Sequence, residues 1–84
     1  MIKNRDKLTE HQEEVLNAVL PLDTDKPIRD IYMTVYGDPS DNMSVRNMQQ
    51  KLAPTFKAIN EKISNVKIIP GKLKQTYRVI RKGR

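Results

Sequence analysis

Eighty-four residues, 37% apolar and 31% charged, are enough for one small domain with a modest core. With no cysteine and a single histidine, the chain can build neither a disulfide framework nor the usual thiolate or imidazole metal sites. The charge divides unevenly: residues 1–41 hold five basic and nine acidic side chains, a balance of −4, and residues 42–84 hold eleven basic and one acidic, a balance of +10. Clustered Lys and Arg of this kind suit a polyanionic partner, because they neutralise phosphates and release counterions. No apolar stretch approaches the roughly 18 residues that span a bilayer, and the first residues lack a signal-peptide run, so the expectation is a soluble, cytoplasmic protein.

Residues 1–7 are polar and basic and read as a flexible arm, leaving 8–84 as a single domain. A first helix starts after Thr9, a good N-cap, with Gln12 completing a capping box. Glu10, Glu13 and Glu14 suit the positive end of its dipole. Leu8, Val15, Leu16, Val19 and Leu20 form its apolar face, His11 reads as an ordinary helix residue, and Pro21 stops it. After the polar connection from Leu22 to Pro27, Ile28 is expected to form a short bridging strand before a second helix over 29–36. Ile28, Ile31, Tyr32, Val35 and Tyr36 follow the spacing of a buried stripe. Gly37 falls where a left-handed residue ends a helix, and Asp38-Pro39-Ser40-Asp41 is a turn signal.

A third helix starts near Asn42 to Ser44, with Val45, Met48, Leu52, Phe56, Ile59 and Ile63 as its apolar positions. Their spacings of 3, 4, 4, 3 and 4 predict helix across the whole span. Pro54 interrupts it, and the unbroken phase on either side favours a kink near Ala53 over a break. From Val66 the period becomes that of a strand, Pro70-Gly71 begins a turn carrying Lys72, Lys74 and Gln75, and Thr76 to Ile80 form a second β-prone run.

This order of elements, with Leu8-Thr9-Glu10 opening the first helix, Tyr36-Gly37 closing the second and Thr76-Tyr77-Arg78 in the last strand, resembles winged helix-turn-helix DNA-binding domains. The pattern is most similar to the effector domain of OmpR-type response regulators, whose recognition helix has the phase of Val45-Arg46-Asn47-Met48-Gln49-Gln50-Lys51-Leu52. Met48, Gln49 and the Gln75-Thr76 wing tip differ from the usual residues of that family. The resemblance implies an α+β fold of three helices with a C-terminal β-hairpin wing.

At about 100° per residue, the face of the third helix opposite the Val45, Met48, Leu52 and Phe56 stripe holds Met43, Arg46, Asn47, Gln50 and Lys57. Arg can fork onto guanine, and Asn and Gln can pair with adenine, so this set suits major-groove reading. Lys51 belongs to the same run, and Ser44 is placed to cap the helix or meet a phosphate. Lys72 and Lys74 would reach the flanking minor groove or its phosphates, with Arg78, Arg81 and Lys82 touching phosphate and Lys67 in either role or neither. Tyr32, Tyr36 and Tyr77 read as core rather than as stacking platforms for single strands.

The expected function is therefore sequence-specific binding of double-stranded DNA, by a small regulator or accessory factor of the kind common in phages and plasmids. Dimerisation or repeated sites would offset the limited affinity of one small footprint. No positioned nucleophile, acid–base pair or Gly-rich phosphate loop suggests an enzyme, and no cofactor, metal or small-molecule ligand is expected. The alternatives are a winged-helix protein-interaction module, docking through Glu10, Glu13 and Glu14, and a single-strand or RNA binder.

Overall fold

Each helix begins where the sequence provides a cap or a fixed backbone angle. In this computed structural model, which describes residues 2–39 and 42–82, α1 spans Glu10–Val19. The Thr9 hydroxyl accepts from the Gln12 amide at 3.1 Å, and the Gln12 side chain accepts from the Thr9 amide at 3.1 Å. This reciprocal pair satisfies two of the donors that a helix start leaves open. α2 spans Ile28–Tyr36 and follows directly on Pro27. It ends at Gly37, whose φ of 86° is cheap only for glycine and whose N–H donates to the Met33 carbonyl at 2.9 Å. α3 spans Val45–Lys62, with the Ser44 hydroxyl accepting from the Asn47 amide at 3.1 Å. Of the turn expected at 38–41, Ser40 and Asp41 lie outside the described residues.

Pro54 sits inside α3, which runs on as one helix rather than breaking at Ala53. A proline there removes one backbone bond to the carbonyl four residues earlier. The helix continues because Met48, Leu52, Phe56 and Ile59 are all buried, so apolar packing on both sides of Pro54 outweighs that loss.

The strands are β1 (Lys26–Pro27), β2 (Val66–Pro70) and β3 (Thr76–Arg81), arranged antiparallel in the order β1-β3-β2. Lys26 faces Tyr77 across β1 and β3, and Val66 faces Arg81 at one end of the hairpin while Pro70 faces Tyr77 at the other. The free edge of β2 is covered at its centre: the Asn60 amide side chain donates to the Ile68 carbonyl at 2.9 Å and accepts from the Ile68 amide at 2.7 Å. That pair of hydrogen bonds pins α3 to the sheet and blocks further strand addition there.

The core lies between the three helices and one sheet face. Val15, Leu16 and Val19 meet Ile28, Ile31 and Tyr32, then Met48, Leu52, Phe56 and Ile59, with Val66, Ile68, Tyr77 and Val79 closing the layer. This is an α+β arrangement consistent with a winged helix. None of its helices among the described residues is long and apolar enough to cross a membrane.

Two details differ from the sequence reading. The short strand is Lys26–Pro27, and Ile28 is the first residue of α2, because Pro27 fixes the backbone angle just before a helix start. Tyr36 is exposed, at the margin of the stripe, with its hydroxyl 3.2 Å from His11 Nε2. Of the arm expected over residues 1–7, Met1 lies outside the described residues, and the rest carries a 3₁₀ turn at Arg5–Lys7. There Arg5 pairs with Glu13 at 3.2 Å and donates to Asn17, and the Lys3 amide donates to the Asn65 side chain at 2.8 Å.

Candidate nucleic-acid interface

The first turns of α3 and the turn joining β2 to β3 face one another across an open groove of about 610 Å³. Arg46 and Gln49 line it from the helix, Lys72, Leu73 and Lys74 from the hairpin. The two walls are held in register by Tyr77. Its hydroxyl accepts from Gln49 Nε2 at 3.0 Å, and its ring packs 4.5 Å from that of Phe56. A hydroxyl on a buried ring costs free energy unless paired, so the bond to Gln49 satisfies Tyr77 and fixes the helix–wing spacing together.

The hairpin turn is braced from behind by Asp25. One carboxylate oxygen accepts from the amides of Lys72 and Leu73, both at 3.1 Å, and the other accepts from Arg78 Nε at 2.6 Å. Burial works to raise the Asp25 pKa, but the Leu73 amide, the Arg78 guanidinium and the Lys72 amide outweigh it and hold the carboxyl below its ordinary range. Arg78 also donates to the Asp23 carbonyl at 3.2 Å. The Gly71 amide closes the turn on the Thr76 carbonyl at 2.8 Å, and the Thr76 hydroxyl donates to the Leu73 carbonyl at 2.7 Å. Gly71 has no room for a side chain, since a Cβ there would lie 2.6 Å from the Asp25 carboxylate and closer still to the Thr76 hydroxyl.

These contacts sort the residues singled out in the sequence. Arg46, Gln50 and Lys57 are exposed and fall within about 40° of one another around α3, on its outer face. Lys72 and Lys74 are exposed at the hairpin turn, on the same groove as Arg46. Neither ion pair found among the described residues, Arg5–Glu13 and Arg78–Asp25, uses any of these five.

Other residues are placed differently. Asn47 is exposed but turned about 100° from Arg46, toward the α2 side. The Lys51 ammonium sits 4.6 Å from the centre of the Tyr36 ring, also on that side. Ser44 is occupied as the helix cap. Met43 precedes the helix and packs partly buried against the core. Arg78, expected to touch phosphate, is turned inward with its side chain 17% exposed. Arg81 and Lys82 lie at the base of the hairpin, beside Val66 and away from its turn.

Sequence reasoning passed over Asp25, Gln49 and Leu73. Asp25 lies in a polar connection about fifty residues from its partners, so no local pattern marks it. Gln49 stood out only as a departure from a family pattern, yet it is the helix's link to Tyr77. Compared with protein-family models, curated proteins and solved structures, the chain matches none.

Proposed function

We propose that this protein binds double-stranded DNA as a winged helix-turn-helix of the OmpR effector type, serving as a small regulator or accessory factor at a specific site. The outer face of α3 enters the major groove, where Arg46 and Gln50 meet base edges and Lys57 meets phosphate. The β2–β3 turn lies on the flanking groove, with Lys72 and Lys74 on phosphates. One observation carries the reading: cations from two separate elements, Arg46 on α3 and Lys72 and Lys74 on the hairpin, line the same open groove. Two elements presenting cations to one side match a duplex, whose phosphates flank both grooves, better than a compact anion.

Support also comes from rigidity. The Gln49–Tyr77 bond and the Asp25 brace hold helix and turn at a fixed separation, so binding requires little ordering of side chains or loop. The testing experiment is fluorescence anisotropy of a labelled mixed-sequence duplex at rising salt, against a single strand of equal charge. Tighter binding to the duplex, with log affinity falling linearly against log salt, is the expected result. No binding at low salt refutes the proposal, and preference for the single strand replaces it with the single-strand reading.

A further inference from the structure

Leu73 is 67% exposed, the most exposed of the large apolar side chains among the described residues. A lone exposed leucine is ordinary on a protein surface. The backbone beneath this one is not. The Leu73 amide is bound to Asp25, its carbonyl is bound by the Thr76 hydroxyl, and the Lys72 amide before it also goes to Asp25. Beyond it, the Gln75 carbonyl accepts from the Ile28 amide at 2.8 Å, which ties the far side of the turn to the start of α2. With both polar groups of Leu73 satisfied inward, only the side chain is presented outward, at the crest of the turn. Lys72 and Lys74 flank it, and all three line the groove that Arg46 shares.

We infer that Leu73 is an apolar wedge, which the hairpin turn drives into the minor groove of bound DNA and between the base pairs of one step. The inference rests on the DNA-binding reading and adds what the turn does there. Three requirements of such a wedge are met. The side chain must be apolar and must protrude, since partial unstacking exposes apolar base faces that only an apolar group covers well. Its support must be stiff, because separating stacked bases costs free energy that a pliable loop would avoid by folding back. The Asp25 brace and the close-packed Gly71 supply that stiffness. Cations must flank the wedge to meet the phosphates that line the narrow minor groove on either side, where negative potential is strong; Lys72 and Lys74 do so. Flexible pyrimidine–purine steps such as TA yield most readily, so the wedge would add a shape preference at base pairs that α3 never touches.

The test uses the whole protein with a mixed-sequence duplex containing a TA step, in which a fluorescent adenine analogue replaces the adenine of that step. Stacking quenches the analogue, so insertion brightens it. The wild-type protein is expected to brighten the probe on saturation, and Leu73→Met, which keeps an apolar protrusion, should do the same. Leu73→Ala should bind the duplex with a salt dependence like the wild type's while leaving the probe dark. Because the side chain is exposed, the thermal melt of Leu73→Ala should match the wild type and report an intact fold. If Leu73→Ala brightens the probe as fully as the wild type, or if the wild type binds without brightening any TA-containing duplex, the wedge is refuted and DNA binding stands. If the wild type binds no duplex at low salt, both ideas fall together.

Discussion

The decisive perturbation removes the two turn lysines together, as Lys72→Ala with Lys74→Ala. Arg46, Lys72 and Lys74 line the groove, Lys57 shares the outer face of α3 with Arg46, and none of the four has an acidic partner among the described residues. Lys51 is left out because its ammonium rests over the Tyr36 ring on the other flank, and Arg78 because Asp25 holds it. Arg81 and Lys82 are left out by distance: Val66↔Arg81 and Pro70↔Tyr77 are four residue steps apart, or roughly 13 Å along the strands. Four phosphate contacts give a slope of log affinity against log salt of about −3.6, so raising salt from about 50 to about 200 mM weakens binding roughly 150-fold. Without the two lysines the slope falls to about −1.8 and the same salt change costs only about 12-fold. Anisotropy of a labelled mixed-sequence duplex measures both slopes directly. An unchanged slope in the double variant, or an equal loss from removing Arg81 and Lys82, would refute the assignment of the phosphate-binding face.

The remaining predictions concern readout, the brace and the core. Gln50→Ala should cost about 1–3 kcal/mol at a selected cognate site and leave mixed-sequence binding nearly unchanged; equal losses on both duplexes would remove Gln50 from base readout. Gly71→Ala should destabilise by about 1–3 kcal/mol in denaturant unfolding, because the added methyl displaces the Thr76 hydroxyl and the Asp25 carboxylate from their partners. Asp25, whose folded pKa is depressed, contributes stability that is present above the ordinary carboxylate value of about 3.9 and is lost as pH falls through its lower folded value. Asp25→Asn should therefore melt lower than the wild type at neutral pH, with the gap narrowing below about pH 4; a constant gap would show that the charge is not what braces the turn. Leu52→Ala, at a fully buried position of α3, should cost about 2–5 kcal/mol, read from chemical unfolding.

The helices were legible because their signals are local. Thr9 and Gln12 lie within one turn, and the stripe of α3 repeats at helical spacing over eighteen residues, so each specifies its own element. The hairpin strands β2 and β3 were legible for the same reason, with a β-branched run on each side of Pro70-Gly71, whereas β1 exists only through its pairing with β3 and was expected at Ile28. The residue types of the proposed interface can be read from the sequence, whereas their positions depend partly on packing. Arg46, Gln50, Lys57, Lys72 and Lys74 stand where helical phase and hairpin order put them. Tyr36 was misjudged because it sits at the edge of its stripe, where a few tens of degrees separate core from solvent. Arg78 was misjudged because a basic residue next to a basic turn looks the same in sequence whether it points to solvent or to a carboxylate behind it.

By itself, then, the sequence determined the order of the helices and the hairpin, the centre of each buried stripe and the basic character of the second half, all set by interactions within a few residues. The tertiary structure alone decided which cations are free and which face they share. Asp25 and Arg78 are 53 residues apart, Gln49 and Tyr77 are 28 apart, and Asn60 meets Ile68 only once α3 lies on the sheet. Such bonds form because burial leaves polar groups no water to turn to, and which partner each finds depends on how the whole chain packs.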